Sequence, residues 1–198
     1  MFYSLLRIIF RFIFKILFRT QVIGLENVPK KGALILAANH LSNWDPPFLA
    51  TFLEREVSYM AKEELFKNPI FATIIKNLNV FPVKRGTADK NAIKHAVNVL
   101  KKDLCLGIFP EGTRSKTGEL GKAELGVSLI AAMTKAPVLP AAIIDTNMIF
   151  SSKKFLPKLA VIYGKPMYFL GNIKDKEALA NFSQSIMNEI KLLKNEFI

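Results

Sequence analysis

Continuous apolar runs of strand length recur along the chain: ALILAA (33–38), VSYMA (57–61), LCLGIF (104–109), VLPAAII (138–144) and LAVIYG (159–164). A strand with one face in water alternates apolar and polar residues, so runs this uniform belong to strands covered on both faces. Most of the covering is written between them. PPFLATFLERE, FATIIKNL, DKNAIKHAVNVLKKD, GVSLIAAMTK and KEALANFSQSIMNEIKLL read as helices, the third through Ile93, Ala96, Val97 and Leu100 at helical spacing. QVIGLENVPKKG and NVFPV (79–83) add two shorter strand candidates. The pattern predicts an α/β fold with a largely parallel or mixed central sheet flanked by helices. In such sheets the reactive groups stand just beyond the C-terminal ends of the strands. No repeat, low-complexity segment or long linker interrupts the 198 residues, so one core over residues 21–198 is expected, preceded by a helix in residues 1–20.

That first helix, FYSLLRIIFRFIFKILFRT, carries Arg7, Arg11, Lys15 and Arg19 at a regular step of four. Each step drifts about 40° around a helix, so the charges fill a band of about 120° and Leu, Ile and Phe fill the rest. The apolar stretches fall short of the ~20 residues that span a bilayer, and charges occupy the place where a signal peptide needs its apolar centre. The pattern predicts a helix lying in the membrane interface, with Phe and Leu inserted and basic residues among anionic headgroups. An amphipathic helix packed on its own domain or on a partner is the alternative. The whole chain is basic, with 28 Lys and Arg against 16 Asp and Glu and a net charge of +12, which favours anionic lipid, an acidic carrier protein or nucleic acid. Charge clustered beside Phe and Ile, without an aromatic stacking motif, argues against nucleic acid. The single cysteine, Cys105, excludes an intramolecular disulfide and reads as core packing, and the Cys and His content leaves no ligand set for a structural zinc.

His40 and Asp45 lie in ALILAANHLSNWDPPF, where the first buried run ends. On a continuous helix the two would sit about 140° apart, so a turn must bring them together. Ser42 and Asn43 favour such a turn, and Asp-Pro marks a helix start with Asp45 as its N-cap. A carboxylate on one ring nitrogen fixes the tautomer and leaves the other free to take a proton from a substrate hydroxyl. The alternative is a helix cap beside an unremarkable loop histidine. His95, in a lysine-bearing helix, reads as a solvated surface residue.

FPEGTRSKTGELGK begins where LCLGIF ends, placing Glu111, Gly112, Thr113 and Arg114 on the same sheet edge as His40. Gly112 lets backbone approach a ligand, and the planar fork of Arg114 suits a phosphate, unless the segment is an ordinary basic turn. A base and an anion fork at two strand ends describe a site for a phosphorylated alcohol. No G-x-S-x-G elbow, Walker motif or G-x-G-x-x-G loop is present. Direct attack by the substrate hydroxyl is therefore expected, and a thioester is a suitable electrophile because its thiol, of pKa about 8.5, leaves readily.

NHLSNWD and FPEGTRS, about 70 residues apart and in this order, resemble the N-H-x4-D and F-P-E-G-T-R-S motifs of the glycerolipid acyltransferases, specifically the PlsC-type 1-acylglycerol-3-phosphate O-acyltransferases. AKEELFKNP followed by NVFPVKRG resembles the second family block, and APVLPAAI the fourth. The Lys-Gly pair that many relatives carry after the third block is divided here between Lys122 and Gly126. The resemblance implies the glycerol-3-phosphate acyltransferase-like αβ fold, with His40 as general base on the sn-2 hydroxyl of lysophosphatidic acid and Asp45 orienting it. It implies Arg114 on the acceptor phosphate with help from Lys62 and Arg85, Glu111, Gly112 and Thr113 around the acceptor, and Pro140 as support. The donor implied is acyl-CoA or acyl carrier protein, the product phosphatidic acid, with no cofactor or metal. The implied location is the cytoplasmic face of the cell membrane, held peripherally or monotopically. Glycerol 3-phosphate or another lysolipid as acceptor remains open, and a non-catalytic basic module that binds membrane or nucleic acid is the alternative from a different class.

Overall fold

The computed structural model describes residues 2–84, 89–151 and 156–197. Among them, a seven-stranded sheet is built from β1 (Gln21–Ile23), β2 (Leu34–Ala38), β3 (Val57–Lys62), β4 (Val80–Val83), β5 (Cys105–Ile108), β6 (Val138–Ile144) and β7 (Ala160–Tyr163), in the order β1-β7-β6-β2-β5-β3-β4. Helices α1 (Phe2–Ile16), α2 (Asp45–Thr51), α3 (Pro69–Lys76), α4 (Lys90–Lys101), α5 (Gly126–Thr134) and α6 (Lys176–Phe197) surround it. The five strands from β6 to β4 are mutually parallel, and β7 turns the sheet antiparallel against β6. The cause lies in the connections: a parallel return needs a crossover long enough for a helix, whereas the described chain between β6 and β7 holds only a short 3-10 turn, Thr146–Met148.

β2 is fully buried along its length and is flanked by β5 and β6, with Leu36 opposite Gly107 on one side and Leu139 on the other. Its alternate residues feed two cores. On one face Leu34, Leu36, Tyr59, Cys105 and Leu139 meet Phe14 and Phe18 at the end of α1 and Phe48 and Phe52 around α2. On the other, Ile35, Leu106 and Val138 meet Leu100 of α4, Ile130 of α5 and Ile186 and Ile190 of α6. Gly107 is dictated by the first face, since a Cβ there would lie 2.1 Å from the Tyr59 ring, which crosses directly over it.

The first helix packs in part on its own domain, one of the readings its sequence allowed, and leaves an apolar face exposed. Tyr3 and Phe14 are buried against the domain, whereas Leu5, Ile8, Ile9, Phe12 and Ile16 share an exposed face at i, i+3 and i+4 spacing. Burying Phe14 of α1 and Phe18 just after it contributes about 1.5–3 kcal/mol each, so α1 packs as part of the fold. Arg7 and Arg11 differ from the expectation that all four basic residues face headgroups. Their guanidinium groups donate to the Leu53 and Phe52 carbonyls at 3.2 and 2.9 Å, where α2 ends. Those carbonyls lie at a helix C-terminus, which attracts cations, and α2 accordingly stops at Thr51 rather than running through LERE. Tyr3 fixes the register by accepting, at its hydroxyl, the Val57 N–H of β3 at 3.0 Å. No helix among the described residues is long and apolar enough to cross a membrane.

Candidate active site

His40 emerges two residues after β2 and is nearly buried, at 7% exposure. The loop after it curls until Nδ1 lies 2.7 Å from Asp45 Oδ2. That oxygen also accepts the Leu41 and Ser42 backbone N–H groups at 2.5 and 2.7 Å, while Oδ1 accepts the hydroxyls of Ser42 and Thr146. With Oδ2 acting as acceptor throughout, the network assigns the imidazole proton to Nδ1, leaving Nε2 as an acceptor. Nε2 makes no hydrogen bond among the described residues. Asp45 is completely buried, and each hydrogen bond it accepts offsets the cost of removing a carboxylate from water.

Asp45 is not the N-cap of α2. Trp44 occupies that position without a side-chain cap, and Asp45 is the first helical residue. Its oxygens turn back to the loop amides and imidazole instead of forward to the helix amides. Phe109, the residue after β5, stacks on the imidazole with ring centroids 4.0 Å apart and planes 14° apart, closing one ring face to water. The amide of Asn39 replaces a missing rung of the sheet, donating to the Ile143 carbonyl at 2.9 Å and accepting the Ile143 N–H at 2.7 Å. The histidine therefore stands on a backbone pinned to β6.

The loop after β5 reaches the same place. Glu111, 8% exposed, accepts the His40 backbone N–H at one carboxylate oxygen and the Gly121 N–H at the other, at 2.9 and 2.8 Å. It braces two loops and does not line the cavity in front of His40. Gly112 adopts φ 66, the left-handed region open to glycine, and closes a turn by donating to the Phe109 carbonyl at 3.0 Å. Gly112 and Thr113 are exposed in that turn, outside the cavity lining. Ser115 donates its N–H to the His40 carbonyl at 2.8 Å, and Arg114 Nη1 donates to Asn43 Oδ1 at 3.0 Å. One loop thus presents the imidazole and holds the guanidinium.

His40, Asn43, Arg114 and Lys62, at the end of β3, line one cavity of about 600 Å³. Its remaining walls are largely apolar: Leu6 and Phe10 of α1, Tyr59 of the sheet floor, and Phe71, Ile74 and Ile75 of α3. A smaller hollow of about 230 Å³ beside Leu25 and Arg55 contains none of these groups. Of the residues singled out by sequence, the structure places His40, Arg114 and Lys62 in the lining of one cavity, with the buried Asp45 behind His40, and gives Glu111 a supporting position, while Gly112 and Thr113 lie outside the lining. Arg85 lies outside the described residues. Pro140 sits within β6, opposite Ala37 of β2. His95 is exposed, as expected, and stacks on Phe81 at 4.1 Å. Thr146, Phe109 and Asn39 were not singled out by sequence, and Asn43 was singled out only as a turn former. Asn39 and Asn43 lie inside the NHLSNWD segment and Phe109 opens FPEGTRS, so of the four Thr146 alone carries no motif signal. No group of His, Cys, Asp and Glu among the described residues is arranged to hold a metal ion.

Chemically, the arrangement can take a proton from a hydroxyl at Nε2, attract an anion to Arg114 and Lys62 in the cavity wall, and sequester a hydrocarbon chain along the apolar remainder. A family model described as Acyltransferase matches residues 19–144. The chain is 34% identical over 182 residues to the 1-acyl-sn-glycerol-3-phosphate acyltransferase of Bacillus subtilis, covering 89% of this chain and 88% of that protein. It is 34% identical over 167 residues to the enzyme of the same name from Streptococcus pneumoniae, of which it spans 54%. The crystal structure of PlsC, the 1-acyl-sn-glycerophosphate acyltransferase of Thermotoga maritima, superposes with a TM-score of 0.75 at 29% identity, over 97% of this chain and 79% of that one.

Proposed function

The chain belongs to the acyltransferase family, and from that premise we propose that it transfers a fatty acyl chain from an acyl thioester to the sn-2 hydroxyl of 1-acyl-glycerol 3-phosphate, giving phosphatidic acid. The observation that carries this reading is the shared cavity: an imidazole oriented by a buried carboxylate and a guanidinium line it together, and the rest of its wall is largely apolar.

In the reaction, Nε2 of His40 accepts the proton of the sn-2 hydroxyl as its oxygen attacks the thioester carbonyl. Collapse of the tetrahedral intermediate breaks the C–S bond, and the imidazolium returns the proton to the departing thiolate. The new ester, a free thiol and neutral His40 remain, with no covalent enzyme intermediate. Asp45 holds the ring and stabilises its positive charge while the proton resides there. Arg114 and Lys62 bind the acceptor phosphate, and Arg114 keeps its aim through Asn43. Glu111 acts at one remove, fixing the backbone on which His40 stands. The thioester carrier is coenzyme A or acyl carrier protein, a co-substrate rather than a cofactor.

The enzyme works on the cytoplasmic face of the cell membrane, held peripherally through the exposed apolar face of α1 and its remaining basic residues, Lys15 and Arg19. Purified protein supplied with labelled acyl-CoA or acyl-carrier donors, against glycerol 3-phosphate and its 1-acyl derivative, tests the reading. Labelled phosphatidic acid from the 1-acyl acceptor is expected. Acylation of glycerol 3-phosphate alone would reassign the acceptor.

A further inference from the structure

A second exposed apolar surface lies across the cavity from α1. On α3, Ile70 is 75% exposed, Phe71 43% and Ile74 40%, and Leu65 in the 3-10 turn before it is 45% exposed. An eight-residue helix that buries only Ala72 and Ile75 leaves more apolar side chain in water than a soluble surface helix ordinarily does. We propose that α3 is a second membrane-inserting element, so that α1 and α3 enter an anionic bilayer on either side of the cavity.

The apolar surface is continuous from outside to inside. Phe71 and Ile74 are at once exposed on α3 and part of the cavity lining, and Leu6 and Phe10 form the facing wall from α1. Arg7 also lines this wall, its guanidinium held by the Leu53 carbonyl, and the surface between the helices is otherwise largely apolar, which fits a bilayer better than a folded protein partner. Charge fits as well: Lys67 precedes α3 and Lys76 ends it, both exposed, and the chain carries a net charge of +12. Glu63 and Glu64 precede α3 too, and Lys84 lies 3.9 Å from Glu63, which moderates the nearest negative charge. The continuity argument rests on the cavity holding an acyl chain; the test does not.

Ile70 lies outside the cavity lining, so changing it leaves the reaction site intact. In the full chain, Ile70→Cys carries an environment-sensitive fluorophore, with Cys105 fully buried and left unlabelled. On vesicles of phosphatidylglycerol and phosphatidylcholine the label is expected to shift to the blue and to be quenched by brominated acyl chains. The same label at Lys101→Cys, on the opposite face of the sheet, is expected to do neither. Ile70→Asn is expected to weaken vesicle binding about tenfold, the effect of keeping one large aliphatic side chain out of hydrocarbon. An unshifted Ile70 label on vesicle-bound protein overturns the proposal. So does an Ile70→Asn affinity equal to the parent's, or a shift that rises with protein concentration without vesicles, which would indicate a second copy on this face. Acyl transfer, assayed separately on the same preparations, reports on the enzymatic reading independently.

Discussion

The two faces of the central sheet carry similar apolar residues and differ in how they are covered. Behind the sheet, α4, α5 and α6 lie over Ile35, Leu106 and Val138, with the buried hydroxyls of Ser128 and Ser183 paired at 2.9 Å. In front, α1, α2 and α3 leave a cavity of about 600 Å³ between them and expose Ile8, Phe12 and Ile70 to solvent. The back face has the close packing that stability favours. The front face forgoes part of that packing, and His40, backed by the buried Asp45, and Arg114 open onto the space it leaves. The difference teaches that the strand ends supply the reactive groups, while the incomplete cover of one face supplies the room for a lipid.

The largest effect that would sharpen this contrast is on the front face. Asp45→Ala removes the partner that fixes the imidazole tautomer, and turnover is expected to fall about 10²- to 10⁴-fold in a steady-state assay. On the back face, Ile130→Ala creates a cavity under α5 and is expected to cost about 2–5 kcal/mol in denaturant unfolding while leaving kcat/KM unchanged. A back-face variant that lost activity without losing stability would break the division. Arg114→Ala is expected to raise KM for 1-acyl-glycerol 3-phosphate about tenfold or more, with a smaller change in kcat, since a charge-assisted phosphate contact contributes about 1.5–3 kcal/mol. The smallest effect concerns Cys105, whose thiol burial pushes up to about 12. At pH 8 its thiolate is scarce and enclosed, so a thiol reagent is expected to label the protein only after denaturation.

The sheet was legible because β2, β5, β6 and β7 are apolar at every position, and no other element writes that pattern over so few residues. His40 was legible for the same reason: a polar residue directly after ALILAAN has to surface at a strand end. The reversal of β7 is consistent with the lack of a helical pattern between VLPAAII and LAVIYG, though that absence marks only the connection, not the pairing. Thr146 was out of reach, since its contact with Asp45 spans a sequence separation of 101 residues and depends on β6 lying beside β2. Glu111 shows a different limit. Its place in FPEGTR suggested contact with substrate, and only the positions of the His40 and Gly121 amides reveal that both oxygens are occupied. The docking of Arg7 and Arg11 was hidden because helical spacing gives the angle between residues and not what stands opposite them.

His40→Ala in the full chain, assayed for acyl transfer to 1-acyl-glycerol 3-phosphate on anionic vesicles and for sedimentation with the same vesicles, tests the general base most directly. Turnover is expected to drop at least about 100-fold while sedimentation stays at the parent's level. A variant that turns over within a few-fold of the parent would contradict the assignment of His40 as the group that takes the hydroxyl proton.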